Sequence, residues 1–289
     1  MKKLTQIFAI LILICIFSTG CFKKDNLEGI EIVTTAYPYE YITDYLYGDH
    51  ALVTSIYPDG TDIKKHDLST KRIDDYSKKE LFIYSSIGSD KDLAVELLER
   101  NKNLDVIDAT SGMETTYGEE ELWLNPSNLL MVCQNIKNGL NAYITNNYLK
   151  KEIEDAYHQI KIDLSELDAE IRLTAQNATR NTIVVNSDSL LFLEKYGFNV
   201  ISLDNQTNPV TEKRISDVRD MIQKGEVKHI FLLDKTDSND IVKQIITETG
   251  VATFTYKRLD NMTDAERDND ENYITLMNDN IDLLRSELY

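Results

Sequence analysis

Two α/β lobes, each a mainly parallel sheet flanked by helices and joined by one long rigid helix, are predicted by three features of this sequence. Short β-rich runs alternate with helical stretches from residue 30 onward. The same alternation begins again after residue 180. Between the two series, residues 141–196 contain neither Gly nor Pro. Strand–helix alternation gives parallel sheets with helices on their faces.

In the first series, Ile30–Thr35, Leu52–Tyr57, Leu81–Ser85 and Val106–Asp108 are short and rich in Ile, Val, Leu and Tyr, as strands are. Helices fit Tyr39–Tyr47, Lys71–Lys79 and Asp92–Arg100. The second series places strands at Thr182–Asn186, Val200–Leu203, His229–Leu233 and Ala252–Tyr256. Its helices fit Leu190–Tyr196, Glu212–Gln223, Ser238–Glu248 and Glu271–Glu287. In the middle, Leu149, Ile153, Ala156, Ile160, Leu164, Leu167 and Ile171 recur in steps of three and four, the signature of one buried helical face. A helix over Tyr148–Ala178 is about 46 Å long at ~1.5 Å per residue, a rod that would hold two lobes at a fixed separation. The expected domains are therefore an N-terminal lobe at 30–147, a linking helix at 148–179 and a C-terminal lobe at 180–289.

The first 29 residues read differently. Met1-Lys2-Lys3 is a basic start, and Ile7–Phe17 is an apolar run too short to span a bilayer of roughly 30 Å. Ser18-Thr19-Gly20 precedes Cys21, so residues 1–20 look like a bacterial lipoprotein signal. Cys21 would be the acylated new N-terminus and 21–29 a polar tether. Ser18 stands where such signals usually carry Leu, and an ordinary cleaved signal is the alternative.

The chain carries 31 basic and 49 acidic residues, a formal net charge of −18, and loss of Lys2 and Lys3 with the signal would make it more negative still. Such a surface repels phosphate backbones, which argues against nucleic acid as a partner. Cys133 has no intrachain partner once Cys15 leaves and Cys21 is lipidated, and its apolar surroundings mark it as core. No Gly-x-Ser-x-Gly, phosphate-cradling Gly-rich loop or His-Glu-x-x-His occurs, so the sequence offers no enzyme signature. In open parallel sheets ligands sit beyond the carboxyl ends of the strands. That rule directs attention to Thr34-Thr35, the Pro58–Ser69 loop, Asn186–Asp188 and Leu259–Asn261. A binding protein is the expectation.

Ile32-Val33-Thr34-Thr35-Ala36-Tyr37-Pro38, Ser55-Ile56-Tyr57-Pro58-Asp59-Gly60, Leu122-Trp123-Leu124-Asn125-Pro126-Ser127-Asn128 and Lys195-Tyr196-Gly197 occur in an order and spacing that resemble the metal-specific substrate-binding lipoproteins of bacterial ABC importers, the zinc and manganese group. The resemblance spans nearly all of the mature chain. It implies two α/β lobes on one backbone helix, a Zn or Mn ion held between them as transported ligand, an ABC permease as partner and attachment to the membrane by a lipid anchor.

The site residues carry over only in altered form. Lys64 stands where the resemblance implies the first His ligand, and a charged ammonium cannot ligate a metal. His66 lies two residues further on. Glu121 replaces a second His two residues before Trp123. Asn186 falls on the third position, with Asp188 nearby, and Asp260 matches the acidic ligand of the second lobe. Two arrangements stay open: a remodelled metal site of Glu121 and Asp260 with His66 or Asp188, or Lys64 paired with Glu121 or Asp260 in the space of the metal. The competing function is a surface lipoprotein, an adhesin or sensor, with the scaffold kept and the site lost or turned to a small polar ligand. Trp123 is expected as a core plug under the cleft, and of the tyrosines alternating between core and rim on the first helix, Tyr37 and Tyr39 are expected to face the cleft.

Overall fold

The computed structural model describes residues 29–205, 209–234 and 239–289. Cys21, residues 1–20 and most of the tether lie outside the described residues. Two four-stranded sheets, parallel throughout, form the frame. The first comprises β1 (Ile30–Thr34), β2 (Ala51–Ser55), β3 (Leu81–Tyr84) and β4 (Asp105–Asp108), in the order β2-β1-β3-β4. The second comprises β5 (Thr182–Val185), β6 (Asn199–Ser202), β7 (His229–Leu233) and β8 (Ala252–Tyr256), in the order β6-β5-β7-β8. In both, the chain leaves the first strand to one side and later returns on the other. The switch points, where ligands bind such sheets, lie between β1 and β3 and between β5 and β7.

Helices cover the sheets where the alternation predicts them, with local shifts at their ends. In the first half these are α1 (Tyr37–Tyr47), α2 (Thr70–Tyr76) and α3 (Asp90–Arg100). Pro38 lies in the first turn of α1, where its missing N–H costs nothing. A short turn, α4 (Glu121–Leu124), leads into α5 (Pro126–Tyr143), an 18-residue helix that the alternation does not announce. The Asn125 side chain caps α5 by accepting the Ser127 N–H, and Pro126 opens its first turn. In the second half, Asp188–Tyr196 is a 3-10 helix rather than an α-helix. Then come α7 (Glu212–Gln223), α8 (Asp240–Thr249), α9 (Asp264–Asp268) and α10 (Tyr273–Leu288). The Ser238 start expected for α8 lies outside the described residues.

The rod is α6, Asn147–Asn177, capped by the Asn146 side chain. Its buried face is the expected stripe with Tyr157 in place of Ala156, and it packs against α1 and α5 on one side and α10 on the other. One continuous apolar core joins the inner faces of both sheets through this helix, and two smaller clusters lie under the outer helices. The halves therefore share a core instead of holding one each. Cys133 is buried in it, and burial pushes its thiol up to about 12, which leaves it inert as a nucleophile. Among the described residues no helix is long and apolar enough to cross a membrane.

Candidate functional site

The carboxyl ends of the two sheets face one cavity of about 580 Å³. Lys64, Thr116, Glu119 and Glu120 line it from the first half. Asn186, Asp188, Ser189, Asp204 and Leu233 line it from the second. Its floor is built by contacts that cross between the halves. Trp123, buried as expected, donates its indole N–H to the Arg258 carbonyl at 2.8 Å, and its own carbonyl accepts the Tyr273 hydroxyl at 2.5 Å. Tyr39 meets the Trp123 ring edge-on. Tyr37 and Tyr39 are both buried and absent from the described lining of the cavity, a correction to the expectation that they face the cleft; a helix whose first turn packs into a shared core has no free face there.

The loop after β2 is pinned to the segment after β8. Gly60 N–H donates to the Met262 carbonyl at 2.6 Å, and the Asn261 amide donates to the carbonyls of Pro58 and Thr61. Arg267 clasps Asp59 with two nitrogens and reaches Glu40. This clamp fixes the base of the loop that carries Lys64. The Lys64 N–H donates to Asp62 at 3.1 Å, and its side chain crosses to Glu120, with Nζ 2.5 Å from Oε1. The other oxygen of Glu120 accepts the Ser189 hydroxyl of the second half at 3.0 Å. Burial alone would push the Glu120 carboxyl up, but the Lys64 ammonium and the Ser189 hydroxyl hold it below the ordinary glutamate value.

Glu120 thus occupies the place expected of Glu121. The Glu121 carboxylate instead accepts the N–H groups of Thr116 and Tyr117 at 2.9 and 3.1 Å, tying down the preceding turn. Lys64 accordingly pairs with Glu120, and with neither Glu121 nor Asp260. His66 packs edge-on against Tyr57 and is absent from the described lining of the cavity. Asn186 lines the cavity but is spent on structure. Its Oδ1 accepts the Leu233 N–H at 2.7 Å, closing the switch point of the second sheet. The Asp188 N–H is held by Asp204 at 3.1 Å, which leaves the Asp188 carboxylate on the cavity wall.

Asp260 is buried, with Oδ2 2.8 Å from Nε of Arg258, itself 5% exposed. The same guanidinium lies 3.6 Å from Asp62 and from Asp234. Leu259, between the two paired residues, has φ +61, an uncommon conformation for a branched side chain and a local strain of the kind found at binding sites. Burial raises the Asp260 carboxyl, the Arg258 charge pulls it back, and the net direction is up.

Glu119 completes the acidic group, and no motif pointed to it. Its carboxylate lies over Gly88, where an added Cβ would come within 2.8 Å of Oε2 and displace it, and the φ of +85 itself favours glycine in the turn before α3. Burial pushes Glu119 up to about 8, with the negative charges of Asp90 and Glu120 adding to the shift. The folded protein therefore keeps a proton that the unfolded chain releases from its ordinary value of 4.5 upward, so stability falls as pH rises from 4.5 to 8. Glu119→Gln is expected to remove most of that fall, on the order of 5 kcal/mol over the full range. Urea unfolding of both proteins across this range checks it; parallel pH profiles would refute the assignment.

Among the described residues, no three His, Cys, Asp or Glu side chains converge as a ready metal cage. Carboxylates from both halves meet here, and two of them are paired with a basic side chain, Glu120 with Lys64 and Asp260 with Arg258.

A model of the family described as zinc-uptake complex component A, periplasmic (ZnuA), matches residues 32–287. The zinc-binding lipoprotein AdcA of Streptococcus pneumoniae is 23% identical over 312 residues, covering 99% of this chain and 61% of its own length. The chain thus spans about three-fifths of that relative. The Zn(II)-bound ZnuA-like domain of AdcA has a similar fold, with a TM-score of 0.73 and 21% identity, over 90% of this chain and 99% of the domain. So does the laminin-binding protein Lmb of Streptococcus agalactiae, described as bifunctional with adhesin and metal-transporting activity. It has a TM-score of 0.70 and 20% identity, over 90% of this chain and all of its own.

Proposed function

The chain belongs to the periplasmic zinc-uptake component A (ZnuA) family, and on that premise we propose that it is the extracytoplasmic solute-binding component of an ABC importer, held at the membrane through Cys21. Its cargo is a divalent cation such as zinc or manganese, captured in the cavity between the sheets and handed to the permease. The observation that carries the cargo is Glu120, a nearly buried carboxylate on the cavity wall already satisfied by a positive charge. Glu120 on the cavity wall and Asp260, buried against Arg258 and absent from the described lining, supply the anionic contacts, one from each half. The rod and the loop clamp hold the halves together, so release rests on local loop movement rather than a wide hinge.

Metal content of protein purified without chelator, followed by titration with each ion, tests this reading. About one equivalent of zinc or manganese is expected, with affinity lowered roughly tenfold or more by Glu120→Gln or Asp260→Asn, since each removes a charge from a desolvated site.

A second reading has its own support. Lys64 and Arg258 neutralise the very carboxylates a metal would use. On that reading the scaffold persists as a surface lipoprotein, and the cavity takes a small polar ligand or none. Failure of both ions to bind up to millimolar concentration would favour it.

A further inference from the structure

The ion pair on the cavity wall is lopsided. Glu120 is held: its side chain is 5% exposed, and one oxygen is fixed by Ser189. Lys64 is not held in the same way. Its side chain is 58% exposed, and its backbone is anchored through Asp62 to a loop whose base is clamped. The fixed member is the buried anion, and the member that can leave is the cation. Lysine recovers rotamer entropy and hydration on leaving, whereas Glu120 stranded without a cation would be a desolvated charge beside Glu119 and Asp260.

We propose that Lys64 is a tethered competitor for the cargo: its ammonium occupies the cation position on Glu120 and must be displaced for a divalent ion to bind. This rests on the proposed capture of a divalent cation in the same cavity. Two consequences follow from charge. The apparent affinity is the intrinsic affinity scaled by the fraction of molecules in which Lys64 is off Glu120, so the lysine weakens binding without touching the ion. A monovalent ion brings no more charge than the ammonium it would replace, whereas a divalent ion brings twice as much to the same carboxylates. Lys64 therefore sets a threshold that sodium and potassium do not pass, and it keeps Glu120 paired between cargoes.

The test is titration of the full mature chain with manganese chloride, the free ion being followed by its electron paramagnetic resonance signal, and with zinc sulfate by calorimetry. Lys64→Met and Lys64→Ala are each expected to tighten binding of manganese by about tenfold or more. Lys65→Met removes the same charge from the same loop, but its partner is Asp62, so it should leave the affinity near that of the parent. In Lys64→Ala, ethylammonium chloride should restore weak binding by competing for Glu120, and sodium chloride at equal ionic strength should not. Circular dichroism checks that the exposed position tolerates both changes.

Unchanged or weaker binding in both Lys64 variants, with the parent chain still binding, would overturn the competitor and leave the importer reading standing. Equal tightening by Lys65→Met would also overturn it, as a general charge effect. If no variant binds either ion up to millimolar concentration, the divalent cargo and the competitor fall together.

Discussion

Trp123→Ala is expected to destabilise the protein by about 3–5 kcal/mol, the range for removing a large aromatic side chain from a packed core. Trp123 is the sole tryptophan of the chain and is almost wholly buried. Its ring lies against Tyr39 of the first half, and its N–H ties it to Arg258 of the second. Truncation leaves a cavity under the site and strands the Arg258 carbonyl. Trp123→Phe separates the two terms: packing largely stays and the hydrogen bond goes, for about 1 kcal/mol. Urea unfolding followed by far-UV circular dichroism is the appropriate measurement, since the variants lack the fluorophore. A loss under 1 kcal/mol for the alanine variant would show that Trp123 does not join the halves.

Arg258→Met carries a comparable expected loss, about 3–5 kcal/mol at neutral pH, because it leaves Asp260 buried without its partner. The methionine keeps most of the stem's packing, so the loss reports charge. Its sign with pH is fixed by the same carboxyl. Asp260 already sits above its ordinary value in the fold through burial, and Arg258 is the strongest influence drawing it down, ahead of a backbone N–H. Without Arg258 the carboxyl rises further, so the folded variant binds a proton that its unfolded chain does not. Stability of the variant should therefore fall as pH rises above the ordinary carboxylate range and recover on acidification. Arg258→Met combined with Asp260→Leu should regain much of the loss. A penalty equal at acid and alkaline pH would argue that the loss is one of packing rather than of charge pairing with Asp260, Asp62 or Asp234.

Most of the frame was legible in local sequence. β7, β8 and α7 match the expected ranges, and the rod is shifted by one residue. The motifs behind the family resemblance turn out to be joints as much as site markers. Asn125 and Ser127 meet Lys195, while Tyr196 donates to Asp168 on the rod at 2.6 Å. Neither segment announces that contact, because it closes over some seventy positions of chain.

The candidate site was legible only as a neighbourhood. Spacing from Trp123 singles out Glu121, yet Glu120 faces Lys64. Consecutive residues in a helical turn are rotated by about 100°, so a run of three glutamates offers three directions, and the choice among them depends on how the turn is seated. Asn186 was placed correctly at the end of β5, but its commitment to Leu233 belongs to the sheet's third dimension. Glu119 carried no signal at all; it matters because Gly88, distant in the chain, leaves room for its carboxylate.

What the amino-acid order determined alone is what depends on near neighbours: strand and helix identity from apolar period, and the acidic balance. Tertiary structure decided which charges meet. Pairing energies depend on distance and burial, and both are set by the shared core that brings Lys64 to Glu120 and Arg258 to Asp260.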